Sequence, residues 1–393
     1  MRRKIRWFRV FAHDATLPSM MKPALASLLA LGLLGCIPKE AFVSPPSTAT
    51  AVARPATPAE AAPEKPVAPP VDLTPVPFEI ARANFVRDTS ARFGIPAAEI
   101  EATLAQATVL DSVVTAMSRP AERVKPWHEY RPMFISQARI DGGRAFLAKH
   151  REALDKVQAR TGVPAELVVA IIGVETSYGG NTGRYSVLDA LYTLAFNYPR
   201  SGDPAKLERE VRRELFFRDE LAQLFALGRE EKLDIAALKG SYAGAMGMGQ
   251  FMPSSYRQFA VDGDGDGRRD LFGSLDDVFA SIANYFVKKG GWVANAPVAA
   301  PATLAAGREP FNPEDWTPTH TLEERAARGY APVQPVPAGI TATPVSLEGS
   351  AGPQYWLGFQ NYYAITRYNI SKMYAMAVYQ LSQAIAGREI PPA

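Results

Sequence analysis

Glu175 is the single carboxylate in an otherwise almost wholly apolar run, residues 167–180. Counting back by helical spacing places it on one helix face with Ile172, Ile171 and Val168. A carboxyl in such surroundings is costly to ionise, so its pKa should rise, and a carboxyl that stays neutral near pH 7 can serve as a general acid. The alternative is a glutamate satisfied by buried hydrogen bonds, or one that reaches the surface at the end of its helix.

Three further carboxylates alternate with glycines in one short segment: Asp262, Asp264 and Asp266. Their spacing supplies the first, third and fifth oxygen ligands of an EF-hand-like calcium loop. The backbone carbonyl of Arg268 falls at the seventh position. The last position is Gly273, where a regular loop has a glutamate, so Asp276 or Asp277 would have to close a longer loop. We expect a structural calcium ion; the alternative is a solvated acidic turn.

Other common catalytic patterns are missing from the sequence. The four histidines have no metal-ligand spacing and the one cysteine cannot assist them, so zinc catalysis is not expected. No Gly-x-Ser-x-Gly elbow is present. The glycine-rich residues 240–251 lack the spacing of a dinucleotide site, and no Gly-Lys-Ser/Thr follows them. No organic cofactor is therefore predicted.

The glycine-rich segment is better interpreted as backbone kept bare for the close approach of a bulky ligand. Ser241 and Gln250 in this segment can hydrogen-bond sugar hydroxyls or acetamides. Many tyrosines lie in polar segments, where aromatic faces suit the apolar faces of sugar rings, although core packing accounts for part of them. One buried glutamate, a glycine-rich wall and aromatic loops together indicate a carbohydrate cleft.

Helices must position these groups. Pro164 suits the start of the Glu175 helix and Gly179 suits its end. Apolar periodicity predicts the other helices at residues 78–89, 97–110, 142–161, 186–197, 208–229, 253–259, 274–288 and 371–386. Residues 127–132 read as an aromatic loop. The core face of the 208–229 helix is expected to include Leu215 and Phe216. The Pro-, Ala- and Thr-rich composition of residues 293–350 predicts an irregular or two- to three-stranded element. The predicted fold class is therefore mainly α (α+β).

The N-terminus resembles a bacterial lipoprotein signal. Residues 1–36 combine basic residues, a short apolar core and a Leu-Leu-Gly-Cys end, with Cys36 as the expected lipidated residue. The alternative is a lone cysteine in an ordinary signal peptide. Residues 37–77 contain 11 prolines and predict a tether. Ile37 after the cysteine favours the periplasmic face of the outer membrane of a Gram-negative cell. Residues 1–36 carry a charge of +5 within the net charge of +3, so the remainder carries −2 and gives no electrostatic case for nucleic acid.

Three motifs in order resemble the membrane-bound lytic murein transglycosylase B family. They are Gly-Val-Glu-Thr-Ser-Tyr-Gly at 173–179, the glycine-rich run at 240–256 and Ile-Thr-Arg-Tyr-Asn at 365–369. The resemblance implies a goose-type lysozyme-like helical core at about 140–290 within a catalytic region 78–393. It also implies a small β-containing insertion at about 293–362, a C-terminal helix at 371–386 and a calcium loop. The implied reaction is non-hydrolytic cleavage of peptidoglycan between N-acetylmuramic acid and N-acetylglucosamine, leaving a 1,6-anhydromuramic end.

The resemblance assigns roles to particular residues. Glu175 matches the catalytic glutamate, and Asp277 is favoured over Asp276 as the closing calcium ligand. The positions that would line the glycan groove are Tyr130, Arg200, Ser241, Gln250, Tyr285, Tyr368, Asn369 and Tyr374. Arg200 departs from the family pattern, because an apparent insertion follows it. The implied partners are glycan strands and, through the lipid, the membrane; cell-wall synthesis proteins are candidates that the sequence does not identify.

No second carboxylate accompanies Glu175 in these motifs, whereas a usual glycosidase needs two. We expect one glutamate to act first as acid and then as base, with the muramic acetamido group stabilising the intermediate charge. Two alternatives remain open at this stage. A hydrolytic muramidase on the same fold would leave a reducing end, and a non-catalytic lipid-anchored glycan-binding scaffold would leave the glycan intact.

Overall fold

The computed structural model describes residues 70–118, 125–311, 313 and 315–392. Cys36, the predicted signal segment and the tether up to residue 69 lie outside the described residues, so the predictions made for them stay predictions. Residues 70–77 lead without regular structure into the first helix, which begins at Phe78 as expected.

The described residues form helices and short strands in the following order. The helices are α1 Phe78–Phe93, α2 Ala97–Leu104, α3 Asp111–Ser118, α4 Trp127–Phe134, α5 Gln137–Lys149, α6 Arg151–Thr161, α7 Ala165–Thr176, α8 Val187–Phe196, α9 Pro204–Glu231, α10 Pro253–Phe259, α11 Leu275–Lys288, α12 Leu322–Ala327, α13 Gln360–Tyr368 and α14 Lys372–Ile385. The strands are β1 Tyr185–Ser186, β2 Lys239–Gly240, β3 Ala299–Leu304, β4 His320–Thr321, β5 Tyr330–Pro332, β6 Thr341–Gly349 and β7 Gly352–Gly358.

Helix α7 is the centre of the helical core. Pro164 is its N-cap, and the residues from Leu167 to Gly173 are buried, so neighbouring helices cover it on most sides as predicted. It packs against α5, α6, α11 and α14. Among the described helices, none alone is long and apolar enough to cross a membrane. Only α6 and α7 taken together reach that length and composition, and they are bent by 114° at their junction.

Polar side chains cap the first turn of several helices. The hydroxyl of Ser186 accepts from the backbone N–H of Asp189 at α8, and Ser274 does the same for Asp277 at α11. Ser371 caps α14 by accepting from the N–H of Tyr374. Each cap satisfies a backbone donor that the helix itself leaves without a partner. The caps therefore define the residues at which these helices begin.

Three local predictions about helices are wrong. The helix predicted at 97–110 ends at Leu104, and residues 105–110 are not helical. Residues 127–132 are not a loop but belong to α4, whose Trp127 is fully buried. The single helix predicted at 142–161 is two helices that meet at His150, which has a non-helical φ of −113°. The His150 ring lies 4.6 Å from Phe146 and 5.8 Å from Phe279, measured between centroids, so aromatic packing accompanies the bend.

The expected core face of α9 is also wrong in part. Leu215 and Phe216 are 42% and 44% exposed, whereas Phe217 and Leu221 are buried. The buried apolar stripe begins at Phe217, two residues after the predicted Leu215, because the first half of α9 is largely exposed and only its second half runs through the core. Leu224 and Leu227 are buried as expected.

The β element is larger than predicted. In the described residues it is a five-stranded antiparallel sheet with the order β4-β6-β7-β3-β5, rather than two or three strands. Its small core combines Tyr330, Leu357 and Phe359 with buried alanines. Strands β1 and β2 form a separate pair, in which Tyr185 lies opposite Gly240. That pair joins the segment after α7 to the glycine-rich segment.

Candidate active site

Glu175 lies in the last turn of α7 and lines a cleft of about 360 Å³. The cleft is lined by Glu175, Asn181, Gly183, Arg184, Tyr185, Ser241, Tyr242 and Gln250. The carboxyl of Glu175 accepts a hydrogen bond from the hydroxyl of Tyr374. Burial raises the pKa of Glu175 to about 7, and the hydrogen bond from Tyr374 opposes that shift only in part. The carboxyl can therefore be protonated at neutral pH, which a general acid requires.

A group of buried tyrosines supports the Glu175 carboxyl. The hydroxyl of Tyr368 donates to the Gly249 carbonyl over 2.6 Å, and its ring lies 4.9 Å from that of Tyr285 between centroids. The hydroxyl of Tyr285 donates to a backbone carbonyl of α13. Burial raises the pKa of Tyr285 to about 12, and burial together with the nearby Glu175 raises those of Tyr368 and Tyr374 further. These hydroxyls stay neutral donors, and the structure places the three predicted tyrosines together near Glu175.

The glycine-rich segment forms the opposite wall of the cleft. Backbone bridges join Met246 to Gly240 and to Phe251, which folds the segment back on itself. The Ser241 oxygen accepts from two backbone N–H groups of this loop, and the Gln250 amide donates to the carbonyls of Thr182 and Gly247. Among the described contacts the Ser241 hydroxyl donates to no group and the Gln250 side-chain carbonyl accepts from none. Both groups remain available to a ligand in the cleft.

Gly183 lets the two walls approach each other. Its φ is +96°, which favours glycine, and an added Cβ would lie 2.1 Å from the carbonyl carbon and oxygen of Gly240. No side chain fits there without moving backbone. The close approach of these two segments therefore depends on the absence of a side chain at residue 183.

The remaining predicted groove residues are more dispersed. Tyr130 on α4 stacks near Trp127 and is close enough to Tyr374 to influence its pKa, so it belongs to the same neighbourhood as Glu175. Asn369 is exposed at the end of α13. Arg200 does not line the Glu175 cleft and forms an ion pair with Glu214 on α9, in the region where the chain carries its apparent insertion. Its place in the glycan groove stays a prediction.

Sequence reasoning missed part of the lining. Asn181 and Arg184 follow the Gly179-Gly180 pair, where the prediction of the catalytic helix stopped. Tyr185 and Tyr242 belonged to the general set of tyrosines but had no assigned position. The pairing of β1 with β2 brings these residues to the cleft, and extending the analysis a few residues past the end of the helix would have found them.

A second buried glutamate has a different role. Glu220 on α9 accepts from the backbone N–H and the hydroxyl of Ser254, at 2.9 Å and 2.6 Å. Burial raises its pKa, while these hydrogen bonds oppose the shift. Its contacts stabilise the first turn of α10, and it does not line the cleft. Among the described residues that line the cleft, Glu175 is the only carboxylate.

The acidic loop brings three carboxylates together at the surface. Oxygens of Asp262, Asp264 and Asp266 lie within 4.8 Å of one another. Hydrogen bonds from the loop backbone, chiefly from the Gly267 N–H, lower the pKa of Asp262, so its carboxylate is ionised at neutral pH. Ionised oxygen ligands at this spacing suit a hard divalent cation such as calcium. The backbone N–H of Arg268 donates to Asp266 over 2.8 Å, which keeps Arg268 in the loop beside this group.

Asp277 is not part of that group of carboxylates in this structure. It is fully buried, and its two oxygens accept from the backbone N–H groups of Gly263 and Asp270, at 2.7 Å and 2.6 Å. These contacts hold the two ends of the acidic loop against α11. Each oxygen keeps a second lone pair, so the calcium-ligand role of Asp277 stays a prediction.

The profile of the family described as "Transglycosylase SLT domain" matches residues 77–383. Over 312 residues the chain is 40% identical to the membrane-bound lytic murein transglycosylase B of Escherichia coli (strain K12), covering 77% of this chain and 82% of that one.

Solved structures give the same result. The Escherichia coli lytic transglycosylase Slt35 in complex with calcium has a TM-score of 0.68 at 40% identity, covering 78% of this chain and 92% of that one. SltB3 from Pseudomonas aeruginosa in complex with NAG-NAM-pentapeptide has a TM-score of 0.67 at 33% identity, covering 80% of this chain and 82% of that one. These similarities confirm the predicted mainly helical, lysozyme-like fold.

Proposed function

This chain belongs to the transglycosylase SLT domain family, and we propose on that premise that it is a peptidoglycan lytic transglycosylase. The substrate bond is the β-1,4 linkage between N-acetylmuramic acid and N-acetylglucosamine, and the product ends in 1,6-anhydromuramic acid. The observation that carries the proposal is Glu175, a carboxyl whose pKa is raised to about 7 in a cleft whose described lining holds no other carboxylate.

The geometry supports a mechanism in two proton transfers. Glu175 donates its proton to the glycosidic oxygen, the C1–oxygen bond breaks, and its electron pair stays on the departing sugar. The muramic acetamido group stabilises the positive charge that develops at C1. The Glu175 carboxylate then takes the proton of the C6 hydroxyl as that oxygen bonds to C1. The acid is regenerated and no water is consumed.

The aromatic surroundings of Glu175 favour ring closure over hydrolysis. Tyr374 fixes the carboxyl by its hydrogen bond, and Tyr368 and Tyr285 pack behind it. A cleft that excludes water leaves the C6 hydroxyl as the nearest nucleophile. Ser241 and Gln250 keep hydrogen-bonding capacity toward the cleft, which suits sugar hydroxyls and acetamides.

Mass spectrometry of products from purified cell-wall sacculi tests the proposal. A lytic transglycosylase releases muropeptides that are lighter by one water molecule than the products of a muramidase. Hydrated products would instead support the muramidase alternative. Intact sacculi with retained binding would support the glycan-binding scaffold.

The pH dependence of kcat/KM follows from the pKa of Glu175 in the free enzyme. Only the protonated carboxyl can start the reaction, so kcat/KM should fall as the pH rises through about 7, with a tenfold loss for each further pH unit. Initial rates on soluble glycan fragments from pH 5 to pH 9 would show this alkaline limb. A rate that stays constant to pH 9 would contradict the assignment of Glu175 as the acid.

We further propose a structural calcium ion at Asp262, Asp264 and Asp266. Their approach to within 4.8 Å and the calcium complex of the relative Slt35 support it. Calcium at a hundredfold excess over its Kd should stabilise chelator-stripped protein by about 2.7 kcal/mol. Isothermal titration and thermal unfolding measure this, with Asp264→Asn as the variant that should bind weakly. An unchanged melting temperature and no binding heat in the wild-type protein would exclude the site.

Anchoring at the periplasmic face of the outer membrane is the last part of the proposal. It rests on the signal-like residues 1–36, on Cys36 and on the membrane-bound name of the Escherichia coli relative. Residues 37–77 would connect the lipid to the catalytic region. An unmodified Cys36 in the intact mass of membrane-extracted protein would contradict the anchor.

A further inference from the structure

The turn that follows Glu175 has an unfavourable backbone conformation. Ser177 and Tyr178 are consecutive residues with φ of 51° and 61°, in the left-handed region that favours glycine. For a bulky residue such as Tyr178 this conformation is rare, and it persists only where surrounding contacts compensate for its cost. The contacts of Tyr178 therefore bear on how Glu175, three residues earlier, is held.

The Tyr178 ring occupies a space that three glycines leave open. An added Cβ on Gly173 would lie 2.7 Å from the Tyr178 hydroxyl oxygen, and one on Gly143 would lie 2.6 Å from it. A Cβ on Gly142 would lie 3.1 Å from the ring. The ring also stacks on Phe146, with centroids 5.7 Å apart. Helices α5 and α7 are thus shaped around this side chain, which points into the protein and does not line the cleft.

Hydrogen bonds link Tyr178 back to the helix that carries Glu175. The Tyr178 hydroxyl donates to the backbone carbonyl of Arg139 over 2.7 Å. The Arg139 guanidinium in turn donates to the carbonyl of Gly173, which also accepts from the N–H of Ser177 over 3.2 Å. Burial raises the pKa of Tyr178 to about 12, so its hydroxyl remains a donor across the working pH range. The result is a closed set of contacts that runs from α5 to both sides of Glu175.

We infer that Tyr178 and Arg139 are positioning residues that fix the backbone on either side of Glu175 and so aim its carboxyl at the scissile bond. The inference rests on the proposed function. Glu175 lies between Gly173, which Arg139 holds, and Tyr178, which is held by Arg139 and the glycine-lined space. The Tyr374 hydroxyl reaches the carboxyl from α14, so a shift of the last turn of α7 would misalign that bond. Small misplacements of a catalytic group are costly in rate.

Tyr178→Phe tests the inference, since it keeps the ring and removes only the hydroxyl. We expect kcat to fall about tenfold or more while KM stays within about twofold. A less constrained carboxyl should also gain contact with water, so the alkaline limb of the pH profile should move to lower pH. Loss of stability alone would change neither kcat per folded molecule nor the midpoint of that limb.

Tyr379→Phe is the matched control. It also removes a hydroxyl that donates to a backbone carbonyl, that of Ala299, but it lies beside Trp292 and Arg388 in a separate groove. Its kcat and pH profile should match those of the wild-type protein. Arg139→Lys keeps a donor for the Gly173 carbonyl and should retain more activity than Arg139→Met.

The outcomes separate this inference from the proposed function. Anhydro products from the wild-type protein, together with a Tyr178→Phe variant whose kcat and pH profile are unchanged, would overturn the positioning role alone. The absence of anhydro products from the wild-type protein would overturn the function itself. A lower kcat with a shifted pH profile in Tyr178→Phe, and neither change in Tyr379→Phe, is the expected result.

Discussion

Glu175→Gln is expected to lower the rate of anhydromuramic product formation about a thousandfold or more. The amide has the size of the carboxyl and can still accept a hydrogen bond from Tyr374, but it cannot donate an acidic proton to the leaving oxygen or later remove the C6 proton. Loss of a general acid or base typically costs two to four orders of magnitude, and here one group serves both steps. Product release from sacculi, measured by chromatography against time, gives the rate.

Glu166→Gln is the control for that experiment. It makes the same substitution in the first turn of the same helix, where Glu166 pairs with the exposed Arg388 and does not line the cleft, and it should retain the wild-type rate within about twofold. Glycan binding should survive in Glu175→Gln. Turnover by Glu175→Gln within tenfold of the wild-type protein would remove Glu175 from the mechanism.

Thermal unfolding at two pH values checks that Glu175→Gln is folded. The pKa of Glu175 is raised from 4.5 to about 7 in the folded protein, so the unfolded chain ionises first and stability falls as the pH rises through this window. A glutamine side chain does not ionise, so the variant does not lose stability in this way. The variant should therefore melt no lower than the wild-type protein at pH 8, and its advantage should shrink toward pH 4.5.

Gly183→Ala is expected to be the most damaging single methyl addition at the cleft. The new Cβ would lie 2.1 Å from backbone atoms of Gly240, and the φ of +96° is unfavourable for alanine in any case. Since backbone rather than a flexible side chain must move, we expect a loss of about 3 kcal/mol or more in the free energy of unfolding. Glycan binding should fall as the two walls separate. Denaturant unfolding measures the first effect and binding to insoluble sacculi the second.

Gly202→Ala separates the steric clash from the backbone cost. Gly202 also has a positive φ, +76°, but an added Cβ there meets nothing within 4 Å. The free energy of unfolding of Gly202→Ala should fall by only about 1 kcal/mol. Equal losses in the two variants would show that the contact between residues 183 and 240 does not hold the cleft together.

Glu175 was identified from its own neighbours, because a carboxyl in an apolar helix is a local feature of the sequence. The boundaries of α7 followed from Pro164 and the glycines after it for the same reason. The tyrosines near Glu175 came from the family resemblance rather than from spacing, since Tyr374 and Glu175 meet through packing of α14 on α7. The local sequence pattern carries no information about the distance between Tyr374 and Glu175.

Spacing along the chain does not reveal the tertiary contacts that decide several local features. Residues 127–132 mix aromatic and polar side chains and contain a proline, yet burial of Trp127 accompanies helix α4. The oxygens of Asp277 accept from two backbone N–H groups, and Arg200 pairs with Glu214 on α9. Leu215 and Phe216 were expected in the core face of α9 but lie on its largely exposed first half.

The most direct test of the mechanism is to digest sacculi in water enriched in the heavy oxygen isotope and to measure its incorporation at the new muramic end. If Glu175 removes the proton of the C6 hydroxyl and no water attacks C1, the anhydro product should carry no heavy oxygen from solvent. One heavy oxygen atom at C1 of each new muramic end would show that water is the nucleophile, and would contradict the dual role of Glu175.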